Sequence, residues 1–95
     1  MGGKQMSVIS DKKAWLAFRK EVKALPKDYV IVFDAIQNYA FKVAPYVPHD
    51  TGAVLTQLLE LFQTSAAEGL DVLAVCGDDV GKFANDLILN ARTSA

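Results

Sequence analysis

Glu68-Gly69-Leu70-Asp71-Val72-Leu73-Ala74-Val75-Cys76-Gly77-Asp78-Asp79-Val80 decides the fold, because it places two helix stops and two helix starts in one short stretch. Gly69 and Gly77 are the stops, since glycine takes the left-handed closing conformation without a Cβ penalty. Asp71 and the Asp78/Asp79 pair are the starts, where a carboxylate suits the positive end of a helix. The stretch therefore predicts one short helical turn between glycines, set just before a last helix. It contains no catalytic cluster.

Downstream, Val80, Phe83, Ala84, Leu87, Ile88 and Ala91 recur at helical spacing and predict one buried face. Upstream, Asp50 or Thr51 caps a third helix whose Val54, Leu55, Leu58, Leu59, Phe62 and Ala66 share a face, with Gly69 as its end. Before it, Pro45-Tyr46-Val47-Pro48-His49-Asp50 cannot continue a helix, because two prolines remove donors and push the preceding residues toward extended backbone. This is the longest predicted loop. A second helix begins near Pro26 to Asp28 and carries Tyr29, Phe33, Ile36, Ala40 and Val43 as its stripe. Val30, Ile31, Tyr39 and Phe41 make it apolar almost all round, which predicts the central helix. The first helix, capped by Ser10 or Asp11, carries Trp15, Phe18, Val22 and Leu25 and ends at Pro26. Tyr29-Val30-Ile31-Val32-Phe33 is the one β-prone run, and its neighbours follow the helical period better. The expectation is an all-α fold: a small four-helix, bundle-like domain with an extra short helical turn before the last helix, packed antiparallel or orthogonally.

The chain has 95 residues, 52% of them apolar and 22% charged, and a formal charge of −1. That is one domain's worth, expected over residues 10–92, with residues 1–9 as an N-terminal arm. Bulk charge excludes an ordinary non-specific nucleic-acid binder. The charge is uneven, however. Residues 1–49 hold eight Lys/Arg against four Asp/Glu, and residues 50–95 hold two against seven, so the halves carry +4 and −5. This fits self-neutralisation within one fold, or charge-guided association between copies. One cysteine, Cys76, forms no internal bridge, and no apolar leader follows Lys4, so a cytoplasmic protein is expected. No run approaches the roughly eighteen apolar residues that mark a membrane span.

Four helices raise the ferritin-like di-iron site, which needs inward carboxylates and Glu-x-x-His pairs on facing helices. The only histidine, His49, stands in a loop beside Pro48, and Glu60 lies off the Val54/Leu58/Phe62 face. No metal or cofactor is expected. Cys76, near the start of the last helix, reads as a buried structural thiol or as one activated by the helix dipole, with no neighbouring histidine as base. Gly77-Asp78-Asp79-Val80-Gly81 is a cap rather than a phosphate cradle, because two carboxylates there repel phosphate.

Two surface features remain. The first helix and the turn after it carry Arg19, Lys20, Lys23 and Lys27, with Arg19, Lys23 and Lys27 four apart; this is a solvated face or a nucleic-acid contact. Tyr46, Val47 and His49 stand in a proline-stiffened loop that packs over the bundle end or docks a partner.

Lys13-Ala14-Trp15-Leu16-Ala17-Phe18, Ala24-Leu25-Pro26-Lys27-Asp28-Tyr29, Glu68-Gly69-Leu70-Asp71-Val72-Leu73 and Gly77-Asp78-Asp79-Val80 occur here in that order. In them the chain resembles the small bacterial helical proteins grouped as domain-of-unknown-function family 1048, over roughly residues 12–90. The resemblance implies an all-α cytoplasmic bacterial protein, sometimes labelled DNA-binding ferritin-like and often encoded beside PadR-type transcriptional regulators. It implies no catalytic residues. The combined expectation is a non-enzymatic interaction or regulatory accessory module that binds a second copy or a PadR-type regulator. The alternative is a weak DNA-binding accessory protein using the basic face of the first helix.

Overall fold

The computed structural model describes residues 12–91. The predicted arm at 1–9, the cap at Ser10 or Asp11, and Arg92 lie outside these residues. The helices are α1 (Lys12–Lys23), α2 (Lys27–Val43), α3 (Thr51–Ala67), α4 (Val72–Cys76) and α5 (Val80–Asn90), with no strand among the described residues. Tertiary packing overrides the β propensity of Tyr29–Phe33, because the i, i+4, i+7 positions Tyr29, Phe33 and Ile36 are the ones the core buries.

α1 stops at Lys23, ahead of the expected end at Pro26. Leu25 precedes a proline, which disfavours helical backbone there, and the chain closes through Leu25 N–H to the Val22 carbonyl at 3.0 Å. Pro26 then sits just before α2 in extended backbone (φ −55°, ψ 150°), and its carbonyl accepts from Val30 N–H at 3.1 Å. Asp50 caps α3 by accepting from Ala53 N–H at 3.0 Å, and Asp79 caps α5 by accepting from Lys82 N–H at 3.0 Å. Gly69 closes α3 with φ +77°, while its N–H reaches the Ala66 carbonyl and Leu70 N–H reaches the Ser65 carbonyl, both at 3.0 Å. This doubly bonded closure satisfies carbonyls that the helix end would otherwise leave bare.

α2 packs against all four other helices, which makes it central. It is not buried all round: Ile31, Tyr39 and Phe41 remain exposed although the flanks are apolar. Four helices, one of them five residues long, do not wrap a seventeen-residue helix completely. The core joins Phe18 and Val22 of α1, Phe33 and Ile36 of α2, Leu55, Leu58 and Phe62 of α3, Val72 and Cys76 of α4, and Ala84 of α5. A chain of rings runs through it, with centroid separations of 5.8 Å for Phe18–Phe33, 6.2 Å for Phe33–Phe62 and 5.1 Å for Tyr29–Phe62. Each such tilted or edge-on pair adds about 0.5–1.5 kcal/mol beyond area burial. The chain of rings ends where the Tyr29 hydroxyl donates to the Leu70 carbonyl at 2.6 Å, tying the α3–α4 turn to the core.

Candidate functional site

The 44–50 connection is held by its own backbone and one histidine. Tyr46 N–H and Val47 N–H both donate to the Val43 carbonyl, at 2.9 and 2.8 Å. His49 Nδ1 lies 2.7 Å from the Val47 carbonyl, and its Nε2 lies 3.0 Å from Thr51 Oγ1. The carbonyl only accepts, so Nδ1 carries the proton, while Nε2 and the Thr51 hydroxyl, which can both donate and accept, share the second bond. Asp50 N–H donates to the Ala91 carbonyl at 3.1 Å, pinning the connection to the end of α5. Tyr46 is 84% exposed at the tip of this braced loop, whereas Val47 and His49 are half-buried. The three predicted contact residues are therefore brought together, with Tyr46 presented and the other two supporting it.

Of the four basic residues, one is drawn into contacts with the neighbouring helix. Arg19 turns toward α2, where Nη2 stands 2.8 Å from Asp34 Oδ1 and Nη1 donates to Gln37 Oε1 at 3.0 Å. Charge rather than alignment holds the Asp34 pair, since among the described residues Oδ1 meets no donor in hydrogen-bond geometry. The guanidinium also lies 6.0 Å from the Phe33 ring centre. Lys20, Lys23 and Lys27 stay exposed. Arg19 was legible as basic in the sequence, but its partners sit in the next helix, beyond the reach of any i, i+4 rule.

Cys76 is buried, and with Asp78, Asp79, Lys82 and Asp86 it lines a shallow cleft of about 350 Å³. These carboxylates thus share a cleft that their sequence spacing did not announce. Asp79 caps α5, and Asp86 pairs with Lys82 at 3.3 Å. Burial pushes the Cys76 thiol up from its ordinary value, away from the thiolate that nucleophilic chemistry needs. Burial, then the charges of Asp71 and Cys76, likewise push the Tyr29 hydroxyl up. Among the described residues no group of three His, Cys, Asp or Glu is placed to hold a metal ion. Glu60 is exposed and off the core, and no described helix is long and apolar enough to cross a membrane.

Two open grooves were not foreseen. One, of about 360 Å³, lies between α1 and α3, over Phe18 and Leu59, where Gln63 donates to Glu21 at 3.3 Å. The other, of about 340 Å³, lies between α2 and α4 with Ile31 and Leu73 in its walls and Asp28 and Asp71 among its lining residues. Ile31 is 59% exposed and Leu73 46% exposed, although both are large and apolar. Leu16, 61% exposed on the outer side of α1, is of the same kind. A helical projection finds Leu16, because it falls off the Trp15/Phe18/Val22 stripe; the grooves needed the tertiary packing.

Caps, a braced loop and open apolar grooves around a filled core define a small all-helical domain. The chain belongs to the DUF1048 family of proteins of unknown function, whose family model matches residues 6–94. It is similar to a DUF1048 protein from Bacillus cereus ATCC 10987, whose crystal structure is described as having a left-handed superhelix fold. The two are 40% identical and superpose with a TM-score of 0.71 over 77% of this chain and 90% of that one. No curated protein matches the chain.

Proposed function

We propose that this protein is a non-enzymatic helical interaction module of the cytoplasm that binds a protein partner through the 44–50 connection. One observation carries the reading: Tyr46 is 84% exposed on a loop already braced by His49, Asp50 and Val43. A large aromatic on a preorganised loop contributes contact area without the ordering cost that a loose loop would incur. The family resemblance favours a PadR-type regulator as that partner. The test is recovery of the tagged protein from its host lysate after nuclease treatment, beside a Tyr46→Ala variant. A regulator retained in stoichiometric amount by the wild type and lost from the variant is the expected result. Equal recovery by both would remove the loop from the reading.

A second reading, DNA contact, is favoured by the exposure of Lys20, Lys23 and Lys27. It expects duplex affinity that falls steeply with salt. Arg19 would contribute little, being committed to Asp34 and Gln37. Absence of binding at low salt would end it.

A further inference from the structure

The outer face of α1 and the α2–α4 groove are complementary in both charge and apolar character. At 100° per residue, Lys12, Leu16, Lys20 and Lys23 fall within an arc of about 80°, and all four are exposed. Leu16 stands at the centre of this arc, and among the described residues of α1 no carboxylate shares it, because Glu21 points toward Gln63 on α3. The groove carries the opposite pattern. Ile31 and Leu73 form its apolar walls, with Asp28 and Asp71 beside them, all exposed.

We infer that a second copy of this chain docks the outer face of its α1 into the α2–α4 groove, head to tail. Leu16 meets Ile31 and Leu73, and the lysines around it meet Asp28 and Asp71. Charge decides against the symmetric pairings: two α1 faces would set lysine on lysine, and two grooves would set aspartate on aspartate. Only the unlike faces attract. Leu16 also decides between partners, since an exposed leucine ringed by lysines adds nothing to a phosphate contact and adds apolar area to a protein one. A contact between unlike faces leaves each pair with one face of each kind still open, so association continues into a ring or a chain. The inference deepens the interaction-module reading but uses different residues from the Tyr46 loop, so either can fail alone.

Sedimentation velocity of the full chain over a concentration series tests it. At low salt the average mass should rise beyond a dimer, and high salt should return it toward the monomer. Leu16→Glu blocks the first face and Leu73→Lys blocks the groove; each should weaken self-association by at least about tenfold. Mixed in equal amounts, the two blocked variants should form a discrete heterodimer, because each retains the face the other has lost. That heterodimer also shows that both variants are folded. Lys20→Glu and Asp28→Lys, which leave every apolar side chain in place, should behave as a second such pair. The inference is overturned by a wild type that stays monomeric at low salt, by blocked variants that associate as the wild type does, or by the absence of a heterodimer in both mixtures. Duplex DNA bound equally by wild type and Leu73→Lys, with no self-association, would overturn it in favour of the nucleic-acid reading. Tyr46→Ala should leave self-association unchanged.

Discussion

The connections at 44–50 and 68–71 both turn the chain between helices, yet they are held in opposite ways. The 68–71 turn is short, closes on Gly69 at φ +77°, and hands the Leu70 carbonyl to the Tyr29 hydroxyl at the end of the aromatic chain. Neither connection places a residue in the core cluster, but no core side chain among the described residues is seen to hold the 44–50 connection, which is braced by its own hydrogen bonds and by the Ala91 carbonyl. One connection is thus part of what keeps the fold together. The other is ordered without being committed to the core, and so leaves Tyr46 free for a partner. Order and burial are separate properties, and a presented side chain needs the first without the second.

The largest effect should come from the ring on which the first connection depends. Phe62 touches both Phe33 and Tyr29, so Phe62→Ala should cost about 3–5 kcal/mol in chemical denaturation and loosen the 68–71 turn along with the core. Gly69→Ala comes next. Among the described residues its added Cβ would meet nothing within 4 Å, so the cost is that of the left-handed backbone; that cost is about 1–2 kcal/mol, read from the denaturation midpoint. Tyr29→Phe keeps the ring and removes the hydroxyl that holds Leu70. It should lower the melting temperature by about 4–8 °C, and a smaller loss would mean that water replaces the bond.

Alkaline pH probes the same region. The folded chain holds the Cys76 and Tyr29 protons more tightly than the unfolded chain, whose ordinary values are 9.0 and 10.0. The stabilisation each provides is therefore complete below its ordinary value and is lost as pH rises through the raised one. Denaturation midpoints should fall from pH 9.0 upward and again from 10.0, with Cys76→Ala removing the first decline and Tyr29→Phe the second. The smallest effect belongs to the other connection. Tyr46→Ala should change stability by less than about 0.5 kcal/mol while abolishing partner recovery. A large loss of stability there would collapse the contrast between the two connections.

Much of the helical frame was legible from local chemistry. Asp50 and Asp79 read as caps because a short carboxylate reaches only the amides two or three residues on, and Pro26 and Gly69 read as boundaries because their backbone preferences act within a turn. The stripes of α3 and α5 were legible for the same reason: period alone selects the buried face. Arg19 was not. It joined a basic stripe on sequence spacing, whereas its fate depends on Asp34 and Gln37, which lie fifteen or more positions away and arrive only when α2 folds against α1. Tyr46 lay between the two cases, since the prolines announced a loop but not the hydrogen bonds that brace it.

By itself, the sequence determined the helices, most of their boundaries and the residues each turns inward, because propensity, capping and periodicity operate over a few neighbouring residues. The tertiary structure alone decided that Arg19 is spent on Asp34, that Cys76 is buried beside a row of aspartates, and that Ile31 and Leu73 share an open groove opposite in charge to α1. Those outcomes depend on which helix lies beside which, and burial, ion pairing and surface shape arise only from that packing.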